Sequence, residues 1–323
     1  MKILGTGSYL PERIVTNEEL SEIVETNDEW ISSRTGIKTR RITEGETVSD
    51  IASKAAVIAL KDAGVTPEQL DLILVASMTG DEAMPNSACV VQKNIGAVNA
   101  ACFDLNAACS GFLFALNTAN AYLVSGMCRN ILVIGAETVS KMIDWTDRGT
   151  CVLFGDGAGA AVVTADDRKR YISVSGSDGA KGGVLRAGKT GLNNFIIDRE
   201  KEMFDRQDYY MFMNGQEVFK FAVTKVPESI RQVSEKAQIS LEDIDCFLLH
   251  QANVRIIASV AKRLGVDKAK MPVNLDKYGN TSAASIAILL DEEKKAGKLP
   301  EGSRVIISGF GGGLTWGASY LEM

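Results

Sequence analysis

Cysteine, histidine and asparagine each stand once in this 323-residue sequence at a turn where a side chain can reach a ligand. The cysteine is Cys109. Phe103-Asp104-Leu105 reads as a short strand, Asn106-Ala107-Ala108 as a turn, and residues 110–116 as the start of an apolar helix. A cysteine at a helix entry feels the positive end of the helix dipole, which predicts a lowered thiol pKa and a ready nucleophile. Ala107, Ala108, Ser110 and Gly111 are small and leave the sulfur approachable. Simple burial is the alternative. It is the expectation for Cys89, Cys102, Cys128, Cys151 and Cys246, none of which forms a Cys-x-x-Cys pair.

His250 is the only histidine and directly follows Phe247-Leu248-Leu249, an apolar strand signal. In α/β sheets ligands bind outside the carboxyl ends of strands. Position alone leaves open a site group or a histidine satisfied by backbone. Asn280 lies in Tyr278-Gly279-Asn280-Thr281-Ser282-Ala283-Ala284-Ser285, ahead of an apolar helix over residues 286–290. Taken by itself it reads as a helix cap. Gly311-Gly312-Gly313 follows the last strong strand and lets backbone N–H groups approach a developing oxyanion. Neither this loop nor Gly155-Asp156-Gly157-Ala158-Gly159-Ala160-Ala161 has dinucleotide spacing, and the latter reads as a closely packed turn.

The elements that must position these residues alternate between helix and strand along the chain, which predicts α/β layering. Ala52, Ala56, Ala59 and Ala63 form a helical stripe, Thr66-Pro67-Glu68-Gln69 a capped turn, and Leu72-Ile73-Leu74-Val75 a buried strand. Residues 240–249 match residues 66–75 position for position at a shift of 174, and the same shift lays residues 131–135 onto 305–309. We read an internal duplication into two α/β halves, residues 1–172 and 173–323. A pseudo-twofold between them would bring Cys109, His250 and Asn280 to one pocket. Residues 173–214 read as a glycine-rich insert, with turns at Gly176, Gly179, Gly182, Gly183, Gly188 and Gly191 and an apolar run over 209–213. A helix is predicted from Glu217, kinked or restarted near Pro227.

Thirty-five basic against 41 acidic residues give a net charge of −6, which argues against general nucleic-acid binding. No apolar run reaches the roughly 18–20 residues needed to span a bilayer. The first residues break at Gly5 before a signal-peptide core forms, so a cytoplasmic protein is expected. With one histidine and scattered cysteines no metal site is expected.

At these residues the sequence resembles the β-ketoacyl-acyl carrier protein synthase III family of the thiolase-like fold. The motifs are Ala107-Ala108-Cys109-Ser110-Gly111-Phe112, His250-Gln251-Ala252-Asn253, Gly279-Asn280-Thr281-Ser282-Ala283-Ala284-Ser285 and Phe310-Gly311-Gly312-Gly313-Leu314-Thr315-Trp316-Gly317. Further matching blocks are Thr26-Asn27-Asp28-Glu29-Trp30, Arg34-Thr35-Gly36-Ile37 and Asp147-Arg148-Gly149-Thr150. The resemblance implies a layered αβαβα architecture built from two duplicated halves. It also implies a decarboxylating Claisen condensation of an acyl-CoA primer, acetyl or branched, with malonyl-acyl carrier protein. This reaction starts type II fatty-acid synthesis, releases CO2 and CoA, and needs no cofactor.

By resemblance, Cys109 is the nucleophile, and the backbone N–H groups of Cys109 and Gly312 hold the oxyanion. His250 and Asn280 donate to the malonyl thioester oxygen, and Phe310 keeps its carboxylate from water. Trp30, Arg34, Arg148, Thr26, Gly215, Phe219 and Asn253 are the expected CoA contacts. Met84 would gate the acyl pocket across a homodimer whose interface runs near Cys102. Arg255, Lys262 and Arg263 would steer the acidic carrier protein, in a segment with five basic residues against Asp267. A merely solvated face is the alternative. Elongating synthases of the superfamily use a second histidine, and thiolases a second cysteine where Phe310 stands; neither pattern is met. A sister enzyme making a secondary metabolite is the alternative function, and a Cys-His-Asn thioester hydrolase or a non-catalytic acyl-binding relative lies further off.

Overall fold

The structure is a computed structural model that describes residues 1–188 and 209–323. Gly191 and the middle of the glycine-rich segment lie outside the described residues. Two sheets carry the architecture, beside two short antiparallel pairs, β2 (Ile14–Thr16) with β3 (Thr39–Arg41) and β9 (Leu185–Arg186) with β10 (Phe212–Met213). The first contains β1 (Lys2–Tyr9), β4 (Leu72–Ala76), β5 (Ala101–Leu105), β6 (Asn130–Glu137) and β7 (Gly157–Thr164), in the order β1-β7-β6-β4-β5. The second contains β8 (Tyr171–Ser177), β11 (Cys246–Leu249), β12 (Arg304–Gly311) and β13 (Thr315–Glu322), in the order β11-β12-β13-β8.

The shift of 174 seen in the sequence reappears as strand register. Leu72 of β4 lies beside Ile131 of β6 in a parallel pair, and Cys246 of β11 beside Val305 of β12 in another. Each parallel pair continues into two antiparallel neighbours, β7 and β1 in one sheet and β13 and β8 in the other. The short helical turns Pro67–Gln69 and Leu241–Asp243 precede the two parallel strands at the same offset.

Helices fill three layers around these sheets, with the short helices α1 (Asn17–Ser21), α2 (Asp28–Thr35), α6 (Arg148–Cys151) and α9 (Leu275–Tyr278) in the connections. On the outer face of the first sheet lie α3 (Val48–Ala63) and α4 (Ser87–Ile95). Ala52, Ala56 and Ala59 are fully buried there, because a small-residue stripe lets α3 sit close to the sheet. Between the sheets run α5 (Gly111–Val124) and α10 (Ala284–Lys295). Residues 284–291 of α10 are all buried, as a helix packed on both sides demands. Its Asp291 is accommodated by Lys295 at 2.8 Å and by the Thr6 and Ser8 hydroxyls. On the outer face of the second sheet lie α7 (Gly215–Ala237) and α8 (Val254–Leu264). The result is the expected αβαβα layering with three apolar cores.

Four sequence expectations change. Residues 173–177 are not irregular, since β8 pairs them with β13. Gly157 opens strand β7 rather than a turn, and the close packing is Gly159 against Ala287 of α10, where an added Cβ would lie 2.6 Å from backbone. One continuous helix, α7, starts at Gly215 and runs through Pro227 without restarting; eleven of its 23 residues are buried. Cys89 is exposed and Cys102 and Cys128 are half-buried, so simple burial holds only for Cys151 and Cys246 among the five. Cys89 sits near the start of α4, on its solvent side.

Candidate active site

Cys109 is held on a tight turn. β5 ends at Leu105, Asn106 accepts a hydrogen bond from the Ala108 N–H at 3.1 Å, and Ala108 adopts a left-handed φ of +46°. That conformation is costly for a residue with a Cβ and is characteristic of chain held for function. The helical turn Ala108–Ser110 then runs into α5. Gly311, at the end of β12, closes on the turn from the other sheet. A Cβ there would stand 2.7 Å from the Cys109 nitrogen, so only glycine lets the strand end come this near. Burial pushes the Cys109 thiol up to about 12; the Ser282 hydroxyl acts in the opposite direction and the Glu137 charge adds to the rise. The lowered pKa expected from the helix entry is therefore not found. Loss of water outweighs the helix end.

His250 follows the last residue of β11, and its N–H donates to Ser308 O at 2.9 Å, fixing the strand end. Its Nδ1 lies 2.7 Å from Ser285 Oγ on α10. The Gln251 N–H reaches the same oxygen at 3.4 Å. With that lone pair taken, the hydroxyl hydrogen is free to point at Nδ1, which leaves the ring proton on Nε2. Burial alone pushes the imidazole down to about 3, so the ring is neutral. Phe310 presents its ring to His250 at 5.2 Å and 72°, and to Phe221 at 6.3 Å, forming an aromatic wall.

Asn280 is carried by a loop pinned to the segment around Leu153 and Gly155. Its N–H donates to Leu153 O at 2.8 Å, and its carbonyl accepts from Gly155 N at 3.1 Å. Gly279 before it has φ +67°, and a Cβ would lie 2.9 Å from Leu153 O, so this crossing requires glycine. The Asn280 side chain caps no helix: α10 begins at Ala284 and has no side-chain cap. Oδ1 instead accepts the Ser282 N–H at 2.9 Å, which orients the amide and makes Nδ2 the available donor.

Cys109, His250, Asn280, Phe310 and Gly312 all line one cavity of about 810 Å3. Arg34, Gly215, Phe219, Asn253 and Arg255 line it too. Asn253 also caps α8 through Arg255 N and donates to Arg34 O, joining the histidine motif to the arginine block. Trp30 and Arg148 stand outside the lining. The Arg148 guanidinium lies 4.8 Å from the Trp30 ring centre and that of Arg34 4.7 Å. A planar ring stacked between two partners needs about 3.5 Å on each side, so the gap between Arg148 and Trp30 admits none as it stands. Thr26 Oγ1 is buried without a hydrogen-bond partner. Lys262 and Arg263 are exposed on α8, away from the lining. Met84 is 84% exposed and outside this chain's cavity. Metal-binding clusters of three or more His, Cys, Asp or Glu do not occur among the described residues.

Three residues that support the site carry little local signal. Ser282 and Ser285 lie inside the asparagine motif, and Glu137 closes the apolar run Ile131-Leu132-Val133-Ile134-Gly135-Ala136, where an acid ending a buried strand is the one visible sign.

Known proteins are similar to this chain in sequence and in fold. The family model described as 3-oxoacyl-[acyl-carrier-protein (ACP)] synthase III matches residues 103–182, and the model for its C terminal part matches residues 234–323. The chain is 50% identical over 323 residues to a beta-ketoacyl-[acyl-carrier-protein] synthase III of Clostridium acetobutylicum, covering 100% of this chain and 98% of that one. It is 48% identical over 325 residues to one from Streptococcus pneumoniae, covering 100% and 99%. The crystal structure of 3-oxoacyl-[acyl-carrier-protein] synthase III from Aquifex aeolicus superposes at a TM-score of 0.92 and 46% identity, covering 100% of this chain and 99% of that one. With its thiolase-like layers and its cysteine, histidine and asparagine in one cavity, this chain belongs to the 3-oxoacyl-[acyl-carrier-protein] synthase III family of condensing acyltransferases.

Proposed function

We propose that the protein condenses a short acyl-CoA with malonyl-acyl carrier protein, the first condensation of type II fatty-acid synthesis. The observation that carries this reading is the convergence of a thiol, two neutral donors and a glycine strand end on one cavity. In the first half-reaction Cys109 Sγ attacks the primer thioester. The tetrahedral oxyanion is held by the N–H groups of Cys109 and Gly312, and collapse expels CoA, which leaves with the thiol proton. In the second, His250 Nε2–H and Asn280 Nδ2–H donate to the malonyl thioester oxygen. Breaking the bond to the carboxylate releases CO2 and leaves an enolate, which attacks the acyl-Cys109 carbonyl. Cys109 leaves as thiolate and takes up a proton from solvent, replacing the one that left with CoA.

Neutral donors suit this step, since they stabilise the enolate without quenching it. An imidazole held neutral by burial supplies such a donor at physiological pH. Phe310, buried against His250, keeps water from the departing carboxylate. The protein residues and the two thioesters provide all the chemistry, so the reaction needs no cofactor.

Trp30, Thr26, Arg34 and Arg148 are assigned to the CoA nucleotide, and Gly215, Phe219 and Asn253 to its pantetheine arm. The exposed cations Arg255, Lys262 and Arg263 on α8 are assigned to the acidic carrier protein. A homodimer is proposed along β5, an edge strand of its sheet, with Met84 gating the partner's acyl pocket. The two halves are taken as residues 1–172 and 173–323, on the matched strand orders. A cytoplasmic location follows from these substrates; among the described residues, no helix is long and apolar enough to cross a membrane.

The test is product analysis after mixing enzyme, acetyl-CoA or isobutyryl-CoA, and malonyl-acyl carrier protein. A 3-oxoacyl-carrier product with stoichiometric CO2 and CoA is expected. Free acid instead of condensed product would mean a hydrolase.

A further inference from the structure

One carboxylate on α10 holds the chain that leads to both enolate donors. Glu292 lies seven residues beyond Ser285 on α10, about two helical turns, so both side chains leave the same face of the helix. Glu292 Oε2 accepts from Asn274 Nδ2 at 2.7 Å, and Oε1 accepts from the Tyr278 hydroxyl at 2.6 Å. Asn274 precedes α9 and Tyr278 ends it, so one side chain holds this short helix at both ends. The helix is tied down from β3 as well. Its Lys277 O accepts from the Thr39 hydroxyl at 2.8 Å, and its Asp276 O from the Lys38 N–H at 3.0 Å.

From α9 the chain runs straight to Asn280. Only Gly279 separates Tyr278 from it, and the Gly279 N–H is itself held by Leu275 O at 2.9 Å. Asn274 serves the other donor. Its N–H donates to Gln251 Oε1 at 3.1 Å, while Gln251 Nε2 donates to Leu249 O at 2.9 Å and to Pro272 O at 3.4 Å. Gln251 is buried and adjoins His250 in the chain, and its N–H shares Ser285 Oγ with the imidazole. Glu292 is therefore joined to His250 and to Asn280 by hydrogen bonds and short stretches of backbone alone.

We propose that Glu292 is a positioning residue for the condensation step, fixing His250 and Asn280 relative to each other by anchoring Asn274 and Tyr278 to α10. Two donors that must meet one thioester oxygen have to be held to within about 0.5 Å of the productive geometry. They come from separate loops, one after β11 and one after α9, and α10 is the element both loops touch. Ser285 fixes the first loop directly. Glu292 fixes the second, and through Asn274 and Gln251 it ties the second to the first. A carboxylate suits the place, because it accepts at both oxygens and so matches two donors. The nucleophile lies outside this network, which touches neither Cys109 nor the turn that carries it.

The inference rests on the synthase reading, and the test separates the two. Single-turnover rates of the two half-reactions are measured on the full-length protein, acylation of Cys109 by acetyl-CoA and transfer of that acyl group to malonyl-acyl carrier protein. Tyr278→Phe removes one hydroxyl from a half-buried ring and keeps the rest of the side chain. It should slow acyl transfer about tenfold, as loss of one hydrogen bond to a charged acceptor does, with acylation unchanged. Glu292→Met keeps the length of the side chain, removes both acceptors and should slow transfer at least as much. Glu292→Gln should recover most of that loss, because its amide oxygen accepts from Asn274 while its NH2 donates to the Tyr278 oxygen. General loosening of the fold would slow both half-reactions together and would not discriminate between Met and Gln. Transfer at the wild-type rate in Tyr278→Phe, or acylation falling in step with transfer, would overturn the proposal. Failure of the synthase reading shows instead in the wild type, as no 3-oxoacyl product at all, and takes this inference with it.

Discussion

His250 Nδ1 and Ser285 Oγ stand 2.7 Å apart, both buried, on a strand end and a helix from different layers of the fold. This contact aims the imidazole and sets its tautomer, since a donor at Nδ1 leaves the proton on Nε2, facing the cavity. Ser285→Ala should therefore lower the condensation rate by roughly 5- to 30-fold, the equivalent of about 1–2 kcal/mol for one buried hydrogen bond. Acylation of Cys109 should change little. Single-turnover measurements of the two half-reactions check this split.

Burial of His250 also predicts a stability profile. Its folded pKa is lowered to about 3, below the ordinary value of 6.5, so the unfolded chain binds the extra proton. Stability from this group is complete above 6.5 and is lost as pH falls toward 3, at about 1.4 kcal/mol per unit. Glu137 has the opposite sign. Its raised folded pKa makes the folded state the better proton binder between its ordinary 4.5 and about 7, so stability falls as pH rises through that window. Urea titrations at a series of pH values should show His250→Asn losing the acid-side slope and Glu137→Gln steepening it between 4.5 and 6.5.

Gly135 on β6 faces the turn that carries Ser282. An added Cβ would lie 2.3 Å from the Ala283 carbonyl oxygen, with backbone on the other side of the contact. Gly135→Ala should destabilise by about 1–3 kcal/mol or more, and the displaced turn should reduce activity in the fraction that folds. Chemical denaturation and specific activity per folded molecule measure the two effects.

Trp30 and Arg148 give a binding prediction. Arg148 also holds the chain at Glu25 O, 3.0 Å away, and under the proposed CoA assignment it would leave the Trp30 face to admit the nucleotide. Trp30→Ala should raise the KM for acyl-CoA about tenfold, since a cationic or stacking contact of this kind contributes about 1–2 kcal/mol. The kcat should be nearly unchanged. Steady-state kinetics with acetyl-CoA distinguish this from a general loss of activity.

Much of the layering was legible because it rests on period and repeat. The Ala52, Ala56 and Ala59 stripe packs as a helix, and the offset of 174 survives as identical pairing in β4–β6 and β11–β12. Cys109, His250 and Asn280 stand out in the sequence as motifs, and the fold brings all three to one cavity. Partners across layers were not. Ser285 acts on His250 from 35 residues away, and Glu137 on Ser282 from 145, with no local pattern to announce either. The Cys109 thiol misled for a related reason: a helix entry is visible in sequence, whereas the burial that outweighs it depends on Gly311 arriving from the other sheet. Gly157 opening a strand has the same origin, because small residues there admit α10.

The most direct measurement is the intact mass of the protein after exposure to acetyl-CoA, before and after malonyl-acyl carrier protein is added. The account predicts one acyl group on Cys109, absent in Cys109→Ser, that moves into a 3-oxoacyl-carrier product on the second addition. In Asn280→Ala the acyl group should load and then remain. An acyl group that forms equally in Cys109→Ser, or that drains to free acid in wild type, would contradict it.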